Sequence, residues 1–409
     1  MKDHRFTLAD KPRPKRVLGK SLQLLVITTL LVGLAVSVRS VQVANSTYQA
    51  VGPGETPPNF KVGFIGDQGL EAASRAVLQL IRDEGADMVL HQGDFEYADN
   101  PDAWDAQIND ILGSSFPYFA SVGNHDVAQW GGYQQKLLDR LSRIPGAVCH
   151  GEYGVKAACT YQGLFFILSG VGTLGSGHAT FIRDQLAHGD SIWRVCTWHK
   201  DQNAMQVGSK PDEVGWEVYE ECRKGDALVA TGHEHSYERT KTLINIQSQT
   251  VDPLWPNPDM LRVGGGSTFV FVSGLGGYTI SNQDRCLPTS PPYGCNGEWA
   301  RISTSDQGAN HGALFIEFNV DGDPKKAHGY FKNIAGEIID SFTVNADPDI
   351  TASVGGTAEL PLVAETSVDR TDSWMDPPAR MYGTLAGGLA AAAMAVALAA
   401  WYARKRWLR

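Results

Sequence analysis

Five short polar clusters stand where apolar runs stop. Gly66-Asp67-Gln68-Gly69, Gly93-Asp94-Phe95-Glu96-Tyr97, Gly123-Asn124-His125-Asp126, His199 and Gly232-His233-Glu234-His235 each follow a stretch rich in Val, Leu, Ile, Phe or Ala. Together they supply carboxylates, an amide, a phenol and imidazoles, and no thiolate. Mixed oxygen and nitrogen donors suit Fe, Mn or Zn better than Cu(I) or an iron–sulfur cluster. The set is large enough for two ions about 3.5–4 Å apart, the spacing used in two-metal phosphoester hydrolysis. Glycines beside the clusters permit tight turns and close backbone approach.

Each residue also has an ordinary reading. Asp67 and Asp94 could cap helices, Tyr97 could pack, Asn124-His125-Asp126 could be a turn, and His199 could be a satisfied core histidine. Their positions argue otherwise. The apolar runs predict strands over 60–66, 87–91, 117–122, 164–169, 192–198 and 227–231. Helical periodicity predicts helices over 70–84, 101–112, 133–141, 180–187 and 212–223. Strands alternating with helices imply βαβ units and a largely parallel sheet. Further strands, over 268–273, 313–319, 327–333 and 337–344, add an antiparallel portion. In an open α/β sheet ligands gather at the carboxyl ends of strands, which is where all five clusters fall.

The order GDxG, GDxxY, GNHD, a lone strand-end His and GHxH resembles the purple acid phosphatases, within the calcineurin-like metallophosphoesterase superfamily. The resemblance covers residues 60–344 and includes the later Ser273-Gly274-Leu275-Gly276-Gly277. It implies a four-layer α/β/β/α sandwich with mixed sheets. Asp67, Tyr97 and His235 would then bind Fe(III), and Asp94 would bridge both ions. Asn124, His199 and His233 would bind a second metal, Fe, Zn or Mn. Asn124 and His125 would meet the phosphate, with His125 donating a proton or hydrogen bond to the leaving oxygen. Direct hydrolysis of phosphate monoesters by hydroxide, without a phosphoenzyme, is the implied reaction. Most relatives outside this branch carry His where Gly69 stands, so Gly69 with Tyr97 points to the purple branch.

The sequence also departs from the family. Plant members place further histidines after the strand-end His, whereas here the stretch is His199-Lys200-Asp201-Gln202-Asn203. Lys200 or Gln202 is the substitute phosphate contact. The sequence before Phe60 is too short for the extra N-terminal β-domain of large plant forms. Asp126, Glu234 and Glu238 read as supporting or surface groups. His91, His150, His178, His188, His311 and His328 read as structural, and Trp193, Trp198 and Trp216 as core.

The chain has 409 residues, 43% hydrophobic and 20% charged, with a formal net charge of −10. That excludes a disordered chain, and the acidity argues against nucleic acid as a partner. Residues 21–38 are uncharged and apolar, about the length of a membrane-spanning helix, and seven Lys and Arg precede them. A cleaved signal peptide is the alternative there. Residues 383–403 are Ala-rich and precede Arg404, Lys405, Arg406 and Arg409. The expected organisation is a cytoplasmic basic tail (1–20), a spanning helix (21–38), a linker (39–59) and a metallophosphoesterase domain (60–345). A tether (346–382), a second spanning helix (383–403) and a cytoplasmic tail (404–409) follow. The domain would then be lumenal or extracellular, with both termini cytoplasmic. Asn45-Ser46-Thr47 is a glycosylation acceptor.

Six cysteines without a CxxC pair suit an oxidising compartment. Cys149–Cys159 and Cys286–Cys295, each within a loop-like stretch, are the natural disulfides, while Cys196 and Cys222 are left as a bond or two thiols. Two rivals to the monoesterase remain. One is a phosphodiesterase or nucleotide pyrophosphatase on the same site, and the other a non-catalytic cell-surface protein on the same scaffold.

Overall fold

The computed structural model describes residues 56–346. Among these no helix is long and apolar enough to cross a membrane. The expected spans at 21–38 and 383–403, their tails and most of the tether lie outside the described residues.

The chain begins with β1 (Phe60–Ile65), α1 (Ala72–Asp83), β2 (Met88–His91), α2 (Pro101–Ile111), β3 (Tyr118–Ala120) and α3 (Trp130–Leu141). Next come β4 (Val148–Glu152), β5 (Lys156–Tyr161), β6 (Leu164–Ser169), α4 (His178–Leu186), β7 (Arg194–Thr197), α5 (Trp216–Lys224) and β8 (Leu228–Thr231). The rest is strand: β9 (Tyr237–Thr240), β10 (Leu243–Asn245), β11 (Thr250–Val251), β12 (Met260–Val263), β13 (Val270–Ser273), β14 (Trp299–Ser303), β15 (Gly312–Phe318), β16 (Lys326–Asn333) and β17 (Ile338–Ala346).

Two mixed sheets result. One runs β12-β17-β16-β15-β1-β2-β3 and the other β14-β9-β13-β8-β7-β6-β5-β4, with β10-β11 a separate ribbon. β1, β2 and β3 are parallel, as are β6, β7, β8 and β13, while β15 lies antiparallel to β1. Helices α1–α3 pack outside the first sheet and α4–α5 outside the second. β6 shows why its sequence is continuously apolar. Leu164, Phe166 and Leu168 enter the core between the sheets, and Phe165 and Ile167 meet the helix layer. Helix α1 buries Ser74, Val77, Leu78 and Ile81, one stripe at helical spacing. Asn100 caps α2, its Oδ1 accepting from Ala103 N at 3.0 Å, with Pro101 at the first helical position.

Polar groups pin the facing sheets against sliding. Ser273 Oγ donates to Phe64 O at 2.8 Å, Ser121 Oγ to Thr197 O at 3.0 Å, and Trp193 Nε1 to Asn319 Oδ1 at 2.9 Å. The strongest link joins β9 to β17. Arg239 makes a two-pronged pair with Asp340, at 2.7 and 3.0 Å, and Tyr237 OH donates to the same carboxylate at 2.8 Å. Both charged groups are buried.

All six cysteines are paired. Cys149 and Cys159 are not in a loop. They face each other across the β4–β5 hairpin, which the sequence did not reveal. Cys196–Cys222 ties β7 to α5, resolving the alternative left open above. Cys286–Cys295 closes an irregular segment.

Asp340→Ala strands a buried guanidinium, so we expect a stability loss of about 3–5 kcal/mol in denaturant unfolding. Burial raises the Asp340 pKa, but the Arg239 charge and the hydrogen bonds from Arg239 and Tyr237 outweigh it and hold the carboxyl below 3.8. Its contribution is therefore complete above the ordinary carboxylate range and fades as pH falls through the lowered value. Asp340→Asn should flatten that acid-side decline. An unchanged unfolding midpoint in Asp340→Ala would refute the assignment.

Candidate metal centre

Three residues of the clusters leave their strands in the left-handed backbone region: Asp67 at φ 57°, Asp94 at 56° and His233 at 67°. Such positions cost about 1–3 kcal/mol for residues with a Cβ and concentrate at functional sites. Here they follow β1, β2 and β8. The loops are braced as the strands are, with Asp67 N donating to Gly93 O at 3.0 Å and Gln68 N to Asp94 O at 3.0 Å. Close approach explains two glycines. A Cβ at Gly123 would lie 2.0 Å from Asp94 N, and one at Gly274 would lie 2.0 Å from Glu234 O.

The structure brings all seven expected donors together, from both sheets. His199 Nε2 lies 3.1 Å from Asn124 Oδ1, 3.2 Å from Asp94 Oδ1 and 3.1 Å from His233 Nδ1. Asp94, His199 and His233 offer ligand atoms within 4.8 Å of one another. Beside them, Tyr97 OH and His235 Nε2 are 3.3 Å apart, and each is 3.3 Å from Asp67 Oδ1. Asp67 joins the halves, its Oδ2 accepting from His233 N at 2.9 Å.

These distances match the edges of a coordination polyhedron, about 3.0–3.4 Å for metal–ligand bonds of about 2.1 Å. The outward nitrogens agree. His199 Nδ1–H donates to Gln92 O at 2.8 Å, His233 Nε2–H to Glu213 Oε2 at 2.7 Å, and His235 Nδ1 meets Thr279 Oγ1. A neutral imidazole that donates outward turns a bare lone pair inward. His199 Nε2 and His233 Nδ1 then face each other without a proton between them, an arrangement that calls for positive charge. A proton can supply it: burial opposes a charged His199, but the Asp94 carboxylate lifts its pKa to about 9. Burial, then the His199 charge, drives His233 far below the ordinary histidine value. Burial, then the Asp67 and Asp94 charges, hold the Tyr97 phenol far above its ordinary value. A multivalent cation reverses that logic and favours phenolate. The donor set fits a pair of hard-to-borderline ions.

His125 is exposed at the rim, its backbone N–H donating to Asp94 Oδ1 at 2.9 Å and its ring 4.6 Å from that of Tyr97. The Lys200 ammonium is engaged by the Glu213 carboxylate. Gln202 is buried, its backbone N–H 3.3 Å from Tyr219 OH.

Sequence reasoning underrated or missed several supports. Asp126, Glu234 and Glu238 are all buried, not surface groups. Asp126 accepts from Asp94 N at 3.0 Å, Gly123 N at 2.6 Å and Phe95 N at 2.8 Å, tying two of the loops together. Burial, then the Asp94 carboxylate, push its pKa up to about 8. Tyr278, in no motif, lies parallel against Tyr97 with ring centroids 3.4 Å apart. Gln92, Glu213 and Thr279 carry no local signal, because their contacts span 107, 20 and 44 residues.

Asp126→Ala leaves three N–H groups unpaired, at about 1–3 kcal/mol for each left buried. We expect lower thermal stability and Mn(II) or Zn(II) affinity reduced about 10–100-fold in calorimetric titration. Affinity equal to that of the wild type would rule out the bracing role.

Comparison with known proteins follows the same geometry. Residues 60–237 match the calcineurin-like phosphoesterase family. Among solved structures, the purple acid phosphatase PPD1 from yellow lupin (Lupinus luteus) seeds aligns with a TM-score of 0.53 at 19% identity. The alignment covers 76% of this chain, and this chain spans 59% of the lupin protein's length. PhoD aligns with a TM-score of 0.48 at 11% identity, over 72% of this chain and 71% of its own. A dimetal phosphatase from Danio rerio aligns with a TM-score of 0.41 at 12% identity, over 71% of this chain and 100% of its own. A search of curated proteins finds no significant match.

Proposed function

We propose that this chain, whose residues 60–237 match the calcineurin-like phosphoesterase family, is a phosphoester hydrolase that hydrolyses phosphate monoesters at a two-metal site. Asp67, Tyr97 and His235 would hold Fe(III), Asp94 would bridge, and Asn124, His199 and His233 would hold Fe, Zn or Mn. The observation that carries this reading is the crowding of seven donors at 3.1–3.3 Å with their outward nitrogens already bonded. When bound, such ions lower the pKa of water and neutralise charge on phosphate oxygens.

The protein's own groups do the rest. The Tyr97 phenol is a hard oxygen donor suited to the ferric state. Asn124 can give its amide N–H to a phosphate oxygen while Oδ1 faces His199. His125, exposed beside Asp94, can donate to the leaving oxygen. No separate nucleophile motif accompanies the site, which supports direct hydrolysis.

We further propose that residues 21–38 and 383–403 anchor the protein in a membrane, with the domain lumenal or extracellular. The basic residues flanking both segments and the three disulfides support this placement.

The test is the full-length protein assayed for metal content, a visible tyrosinate–iron band and phosphate release. A chromogenic monoester is expected to outpace the matching diester. Asp94→Ala should lose both metals and turnover, and His125→Ala should retain the metals and lose about 10²–10⁴-fold in kcat. Full activity in Asp94→Ala, or a preference for the diester, would defeat this reading.

A further inference from the structure

Of the three imidazoles in the cluster, His233 alone has an anionic outward partner. His199 donates to a neutral carbonyl and His235 meets a hydroxyl, but His233 Nε2 lies 2.7 Å from Glu213 Oε2. The other oxygen of Glu213 holds the Lys200 ammonium, and both side chains of that pair are only 18% exposed. Glu213 is itself fixed, its backbone N–H donating to Asp201 O at 3.0 Å. Lys210 Nζ donates to the His233 carbonyl, so the histidine is held at backbone and ring. Glu213 belongs to none of the five clusters.

We propose that Glu213 is a positioning residue for the metal position served by His233, and that Lys200 acts through Glu213 and not on phosphate. A carboxylate accepting from Nε2–H admits one tautomer, with the Nδ1 lone pair turned toward Asp94 and His199. It also makes the imidazole a stronger donor, which favours a cation at that position over its neighbour. Lys200 keeps the carboxylate oriented and balances its charge, which leaves the ammonium no second task at the rim. The inference rests on the two-metal reading above and deepens it by distinguishing the two positions.

The experiment uses full-length protein depleted of metal and titrated calorimetrically with Mn(II) and Zn(II). Kinetics on a chromogenic monoester at saturating metal run alongside. Glu213→Ala should weaken one of two binding events about 10–100-fold and spare the other. Glu213→Gln, which keeps an acceptor, should recover most of that loss. Lys200→Met should weaken the same event with KM unchanged. The inference is overturned if Glu213→Ala titrates like the wild type, or if Glu213→Gln is no better than Ala. It is equally overturned if Lys200→Met raises KM with metal affinity intact. Should Glu213→Ala fail to fold, Glu213→Gln and Lys200→Met decide. A wild-type protein that takes up no metal defeats the two-metal reading itself, a result distinct from any of these.

Discussion

His199 Nε2 and His233 Nδ1 turn lone pairs on each other, and the seven donors keep contacts of 3.1–3.3 Å because the histidines and carboxylates among them are held from behind. That constraint governs the molecule. It explains why Asp67, Asp94 and His233 occupy an uncommon backbone region, and why Gln92, Glu213 and Thr279 each take the outer nitrogen of a histidine. It also explains Asp126, which accepts from two loops at once in a buried setting. A cation resolves the repulsion only if the donors are already in place, so the protein meets the cost of assembly in its fold.

The donors come from two sheets, and their spacing is therefore a property of the seam between those sheets. Asp67, Asp94 and Asn124 follow strands of one sheet, and His199 and His233 follow strands of the other. A shift of a single ångström along the seam would undo the contacts that cross it, His199 with Asp94 and Asn124, and His235 with Asp67 and Tyr97. Apolar packing resists separation but is indifferent to sliding. The directional links resist sliding, and Arg239–Asp340 with Tyr237 is the least forgiving of them, since a displaced buried ion pair leaves charge uncompensated.

The parts of this arrangement that were legible in the sequence are those with local causes. β1, β2, β3, β6 and β8 are largely apolar because both faces are covered, and a glycine follows each within three residues. The positions of Asp67, Asp94, Asn124 and His233 could be read for that reason, and His199 because it closes the run 192–198. The β4–β5 hairpin could not, since Val148–Glu152 is an edge strand with little apolar content and its pairing with Lys156–Tyr161 is a tertiary fact. β9 was hidden differently. All four residues of Tyr237–Thr240 are buried, yet three are polar or charged, and Arg239 finds its partner 101 residues away. Glu213 was illegible for the same reason, as an acid in an irregular connection whose meaning depends on a ring from another strand.

The register of the first sheet carries a geometric corollary. Phe60 opposes Phe318, Phe318 opposes Ala327, and Ala327 opposes Val344, so one row crosses β1, β15, β16 and β17. The described chain thus enters and leaves at the same pole, about 14 Å apart at three inter-strand spacings. The donors crown the opposite pole, beyond Ile65 and His91. A short splice between residues 346 and 60 could close the polypeptide into a ring without touching them.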